Sequence, residues 1–177
     1  MLPDDLIDPV GKWPEYANGE PRIYGRERSY VEAAAFLDLP GTTVEDWGCG
    51  WGHARRFFTR ATYVGVDGSE SKYCDVVDDL RTRVSTPDGI MLRHVLEHNL
   101  MWQWVLQSAV RSNPKRLCIV FFLPFGTAPQ VVRDPHPGVV LINLVERDVE
   151  SILSGWFIRK ENTGTPDYYE QTWFCAK

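Results

Sequence analysis

The segment Val44-Glu45-Asp46-Trp47-Gly48-Cys49-Gly50-Trp51-Gly52-His53 constrains this chain more than any other. A short β-rich run passes through three alternating glycines into residues with helical spacing. Such glycines let the backbone take positive φ and let a ligand reach the main chain without meeting a Cβ. Strand-to-helix turns also use glycine for packing alone, so the chemistry must be read from what surrounds the loop.

Spacing narrows the choices. A dinucleotide fingerprint needs a glycine three positions after the middle one, and His53 stands there. A P-loop needs a following Gly-Lys-Ser/Thr, which the segment lacks. The next β-rich run, Thr62 to Asp67, ends in a carboxylate about twenty residues beyond the loop, the separation at which a βαβ unit brings an acid to a ribose. Asp67 before Gly68-Ser69 could equally serve an Asx-type turn. Beside the glycine loop, the ribose role is the better reading, since an ionised carboxylate accepts both ribose hydroxyls.

The rest of the chain alternates strands and helices, which implies a mostly parallel sheet covered on both faces. A helix is expected over Arg26–Leu39, stopped by Pro40-Gly41, with further helices over His53–Arg60, His94–Arg111 and Asp148–Ser154. Strands are expected over Thr42–Trp47, Thr62–Asp67, Asp75–Asp79, Gly89–Arg93 and the apolar run Leu117–Leu123, with a short extended piece over Val139–Leu144. Trp156–Arg159 and Tyr168–Ala176 read as a terminal antiparallel hairpin. Pro124–Gly138 reads as a loop long enough to form a lid or substrate wall. The organisation expected is an arm and helix over 1–41, packing over the site, and one domain over 42–177.

Composition excludes several classes. With 44% hydrophobic and 24% charged residues the chain has the balance of a soluble globular domain. No apolar run is long enough for a bilayer span, and the N-terminus lacks the features of a secretion signal, so a cytoplasmic location is expected. A net charge of -5 argues against bulk electrostatic capture of a nucleic acid. Arg22, Arg26 and Arg28, and Arg55, Arg56 and Arg60, read as solvated faces. Cys49, Cys74, Cys118 and Cys175 form no CxxC pair, so neither a metal site nor a disulfide framework is expected.

Asp46-x-Gly48-x-Gly50-x-Gly52 resembles the first motif of the class I S-adenosylmethionine-dependent methyltransferases. Val64-Gly65-Val66-Asp67-Gly68-Ser69-Glu70 is similar to their second-strand motif, and Met91 to His98 to the segment after their fourth strand. The resemblance implies a Rossmann-like α/β three-layer sandwich around a mostly parallel seven-stranded sheet ending in an antiparallel hairpin. It implies S-adenosylmethionine as cofactor, with Asp46 and the loop of Gly48, Cys49, Gly50 and Gly52 at its methionine end. Asp67, with Gly68 and Ser69, would take the ribose. Asp78 or Asp79, with Leu80, would meet the adenine, although a solvated acidic turn explains those aspartates as well. Arg93 and His94 would face the sulfonium. Two departures stand out: Trp51 occupies a position that is usually small, and the stretch from Asp67 to Asp75 is too short for a full helix.

His94-Val95-Leu96-Glu97-His98 also matches H-x-x-E-H, in which two histidines one helical turn apart share a zinc ion and the glutamate acts as base in a metallopeptidase. That reading leaves the glycine loop unexplained. In the methyltransferase reading His94 or His98 acts as base or orients the acceptor. No Asn-Pro-Pro-Tyr-like or Pro-Cys sequence supports nucleic-acid methylation, and the acidic balance favours a small-molecule acceptor. Trp13, Tyr16 and Tyr24 in the arm, and Phe125, Arg133 and His136 in the loop, are its expected walls. A cofactor-binding module without chemistry and a nucleic-acid methyltransferase are the alternatives from other classes.

Overall fold

The computed structural model describes residues 27–133 and 140–177, apart from the side chain of Arg133. The arm residues Trp13, Tyr16 and Tyr24, the basic residues Arg22 and Arg26, and His136 lie outside the described residues.

Helix α1 (Glu27–Leu37) precedes β1 (Thr43–Trp47), and β2 (Thr62–Asp67), β3 (Val76–Val77) and β4 (Gly89–Arg93) follow. Then come α2 (Trp102–Arg111), β5 (Arg116–Phe121), β6 (Gln130–Arg133), β7 (Val140–Asn143), α3 (Glu146–Ile152), β8 (Phe157–Asn162) and β9 (Gln171–Ala176). Seven strands form one sheet in the order β3-β2-β1-β4-β5-β9-β8. The first five are mutually parallel, whereas β9 runs antiparallel to both β5 and β8. The strand order reverses between β1 and β4, and in open α/β sheets the crevice outside the carboxyl ends of the strands at such a switch is where ligands bind.

Period-2 alternation divides the central strands between two apolar layers. Val44, Met91, Cys118, Val120 and Phe174 meet Tyr30, Ala33, Ala34 and Leu37 of α1 on one face. Trp47, Ile90, Leu92, Leu117, Ile119 and Trp173 meet Trp102, Val105, Leu106 and Ala109 of α2, with Val149 of α3, on the other. The three-layer α/β sandwich and the terminal hairpin are as expected.

Several elements differ from the sequence reading, and each has a local cause. The helix expected over His53–Arg60 is only a 3-10 turn over His53–Phe57. Asp38 stops it: its buried carboxylate accepts the N–H groups of Thr59, Arg60 and Ala61 at 3.1, 2.9 and 2.7 Å, donors that a continuing helix would have used. The helix expected over His94–Arg111 is divided. His94 sits at φ 56°, a 3-10 turn spans Leu96–His98, and α2 starts at Trp102. Glu97 spends its carboxylate on the Phe122 N–H at 2.6 Å, and Asn99 donates its side-chain amide to the Val95 carbonyl at 2.6 Å. β3 keeps two residues of its expected five, because Asp78 and Asp79 turn aside to arginines. Part of the expected loop over Pro124–Gly138 is strand: β6 pairs with β7 in a separate antiparallel ribbon. Helix α3 begins at Glu146 behind Val145, so Asp148, where the helix was expected to start, lies inside its first turn.

Candidate functional site

The glycine loop leaves the carboxyl end of β1 and folds back over β2. The N–H groups of Gly48 and Cys49 both donate to the Val66 carbonyl, at 2.7 and 3.1 Å. Gly48, Gly50 and Gly52 take φ of 78°, 51° and 63°, a region that disfavours any other residue. A Cβ on Gly48 would lie 2.4 Å from Val95 Cγ2, so the loop also packs against the segment after β4. Trp51, the residue out of pattern, is buried.

Asp67 closes the loop. Its Oδ2 accepts the Gly50 N–H at 2.8 Å and its Oδ1 the Ser69 N–H at 2.9 Å. Each carboxylate oxygen retains acceptor capacity after one bond. Burial raises the Asp67 pKa, against the pull of the Gly50 and Ser69 amides. One strand over, Asp46 accepts the Tyr63 hydroxyl at 2.5 Å. Burial pushes its carboxyl up to about 7, opposed by the Tyr63 bond and by Arg93 and reinforced by Asp67. Two acids thus flank the loop where β1 and β2 end.

Beyond β2 the missing helix is replaced by bracing. Asp75 Oδ2 accepts the Gly65 N–H at 2.7 Å and pairs with Arg55, and Ser71 Oγ donates to the Gly50 carbonyl at 3.2 Å.

At the end of β4, Arg93 is buried and surrounded. It donates to Ser29 Oγ and Tyr30 Oη, each at 3.0 Å, and to Glu170 Oε2 at 3.1 Å. Its guanidinium lies 3.9 Å from the Tyr30 ring centroid. His94 Nε2 shares Glu170 Oε2 at 2.9 Å, while Nδ1 lies 3.3 Å from Arg93 Nη1. Burial and the Arg93 charge bring the His94 pKa down to about 4 against the opposing pull of Glu170, so the ring is neutral near neutral pH. Although burial opposes it, Glu170 keeps a pKa below the usual carboxylate value through His94 and Arg93.

The imidazoles of His94 and His98 flank the Phe122 ring, with centroids 4.8 and 5.1 Å away. His98 Nδ1 lies 3.1 Å from the Val140 carbonyl and therefore donates to it. The zinc reading needs both histidines on one helix, and that helix is not formed: one imidazole turns to Glu170 and the other to β7. Among the described residues, no group of three His, Cys, Asp or Glu is placed to hold a metal ion. Burial pushes the Glu97 carboxyl up to about 7.

No family model matches the chain, and no curated protein sequence does. Solved structures do. The Burkholderia thailandensis 1,6-didemethyltoxoflavin-N1-methyltransferase, with 1,6-didemethyltoxoflavin and S-adenosylhomocysteine bound, aligns with a TM-score of 0.68 at 15% identity, covering 85% of this chain and 79% of its own. The Synechocystis PCC 6803 magnesium protoporphyrin IX methyltransferase with bound S-adenosylhomocysteine gives 0.64 at 18% identity, covering 94% and 93%. An S-adenosylmethionine-dependent methyltransferase from Mesorhizobium loti gives 0.59 at 13% identity, covering 85% and 97%.

The fold is that of the class I methyltransferases. Within it, the glycine loop, Asp46, Asp67, Arg93 and His94 gather at the switch between β1 and β4. Asp78 and Asp79 stand further out, past β3. Asp79 binds Arg81 through both oxygens, at 2.8 and 2.8 Å to Nε and Nη2, and Asp78 meets Arg83 at 2.8 Å. Arg83 reaches on to the buried Glu45, whose carboxylate also takes Trp47 Nε1 at 2.6 Å and Ser85 Oγ at 2.8 Å. This network ties the turn after β3 to β1, while Leu80 enters the core.

Sequence reasoning missed Glu170, Tyr30, Ser29 and Tyr63. Ser29 and Tyr30 lie on α1 and Glu170 before β9, each more than sixty residues from Arg93. A buried arginine at a strand end demands a counter-charge, but nothing local says which acid supplies it.

Proposed function

We propose that this protein binds S-adenosylmethionine and transfers its methyl group to a small molecule. The observation that carries the reading is Asp67. It is a buried carboxylate at the carboxyl end of β2, oriented by the glycine loop's own Gly50 N–H, with acceptor capacity remaining for a diol. The rest of the site suits the same group. Asp46 is a buried acid whose ionised carboxylate is a natural partner for an ammonium. The rim combines acids with a paired arginine, which fits a ligand carrying positive charge. Two of the similar folds bear names with small-molecule acceptors, a toxoflavin precursor and a magnesium porphyrin, in keeping with this chain's net charge of -5.

The bound cofactor supplies a methyl group already activated on sulfur. The protein's part is to hold the acceptor in line and keep water out. In this reading Asp67, with Gly68 and Ser69, takes the ribose. Asp46 and the loop of Gly48, Cys49, Gly50 and Gly52 take the methionine end, and Leu80 with Asp78 or Asp79 the adenine. Arg93 and His94 shape the wall beside the transfer point. His98, its Nδ1 engaged by the Val140 carbonyl, takes a proton where the acceptor has one to lose.

Calorimetric titration with S-adenosylmethionine and S-adenosylhomocysteine tests this. Asp67→Ala is expected to lose about 1.5 to 3 kcal/mol of binding. No heat and no thermal shift from either ligand would make the glycine loop a purely structural turn and end the proposal.

A further inference from the structure

The Arg93–Glu170 pair is the most deeply buried ion pair among the described residues, with side chains 4% and 0% exposed. It lies where β4 ends beside β1, in the wall next to Asp46. It draws together α1 through Ser29 and Tyr30, β4 through Arg93 and His94, and the turn before β9 through Glu170. The backbone around Glu170 is closely fitted: its N–H would lie 2.5 Å from a Cβ on Gly164, and its carbonyl accepts the N–H groups of Thr163 and Gly164 at 2.9 Å each. Ordinary packing would be served as well by apolar residues, which are often no less stable than a buried ion pair.

The charge has a use if the site takes S-adenosylmethionine, and the inference rests on that reading. A sulfonium is a cation, and an uncompensated guanidinium in a low-dielectric wall would repel it. We propose that Glu170 is a positioning and specificity-determining residue: by neutralising Arg93 within the wall it sets the preference of the site for a sulfonium ligand over the uncharged thioether. Arg93 is then free to brace α1 and His94 without opposing the cofactor. His94 donates its Nε2–H to the same carboxylate oxygen while its Nδ1 faces the Arg93 guanidinium, which can only donate, so the ring carries one proton and adds no second positive charge.

The test compares S-adenosylmethionine with S-adenosylhomocysteine, which differ in the charge on sulfur. Glu170→Gln keeps the side chain's shape and an acceptor for Arg93 but removes the charge. It is expected to weaken S-adenosylmethionine roughly tenfold more than S-adenosylhomocysteine in calorimetric titrations. The double variant Glu170→Gln with Arg93→Met, which removes both charges, is expected to return the ratio towards the wild-type value. Should Glu170→Gln not fold, Arg93→Met alone carries the test with the opposite sign. At about pH 8.5, above the titration of the buried Asp46 and Glu97, the remaining Glu170 carboxylate should favour S-adenosylmethionine several-fold. Equal loss of both ligands would reduce Glu170 to a structural role and overturn the proposal. Failure of the wild-type protein to bind either ligand would instead overturn the cofactor reading beneath it.

Discussion

Burial at the site moves acids and bases in opposite directions, and the signs make a pH prediction. Asp46 and Glu97 are both raised to about 7, so the folded state binds protons there that the unfolded chain releases at its ordinary carboxylate value. Their contribution to stability is full at low pH and is lost as pH rises through about 7. His94 is lowered to about 4, so its contribution is full above its ordinary value of 6.5 and is lost as pH falls towards 4. Between about pH 7 and 8 the raised carboxyls outweigh the lowered histidines, and unfolding free energy should fall as pH rises. Denaturant melts across that window should show this slope, and Asp46→Asn should flatten it. A stability that climbed with pH there would contradict the burial of both acids. These charges were only partly legible: Asp46 and Asp67 stand in motifs, but their protonation depends on desolvation, which no local pattern carries.

Among the elements, the glycine loop allows a comparison of two glycines. Gly48 needs its identity twice over, through φ of 78° and through a Cβ that would meet Val95 Cγ2 at 2.4 Å. Gly68 has no such φ, and its nearest obstacle is the Asp78 carbonyl at 3.9 Å. Gly48→Ala is therefore expected to destabilise by about 2 kcal/mol or more, while Gly68→Ala should stay within roughly 0.5 kcal/mol. Thermal melts of the two variants decide it, and similar losses would mean that the loop's conformation is not the constraint. Strands β1, β2 and β4 were legible because short β-rich runs there are bounded by turn residues. The shortened turn over His53–Phe57 was not, because the group that stops it, Asp38, comes from an earlier segment. The break after His94 was hidden similarly, since Glu97 looks like any helical glutamate until the Phe122 amide is seen to need it. β6 offered only Val131 and Val132 as a signal, too little to separate a strand from a loop.

Over the whole molecule, alternation of strands and helices was enough to indicate a covered parallel sheet, but not the order of its strands. Nothing in the pattern of Gln171–Ala176 says that β9 lies inside β8 rather than beyond it. That placement has a measurable effect. β8 borders only β9, so it is joined to the rest of the sheet through β9 alone. Native-state hydrogen exchange should show β8 amides protected no longer than those of β9, with β4 and β5 exchanging last. Slower exchange in β8 than in β9 would be incompatible with the strand order.

The same placement gives assembly a direction in time. Glu170 immediately precedes β9, so the counter-charge for Arg93 arrives only when the chain has doubled back and slipped its last strand between two neighbours. Until that strand is placed, the wall lacks the carboxylate that faces Arg93. Placing the last strand and placing the carboxylate beside Arg93 are therefore one event.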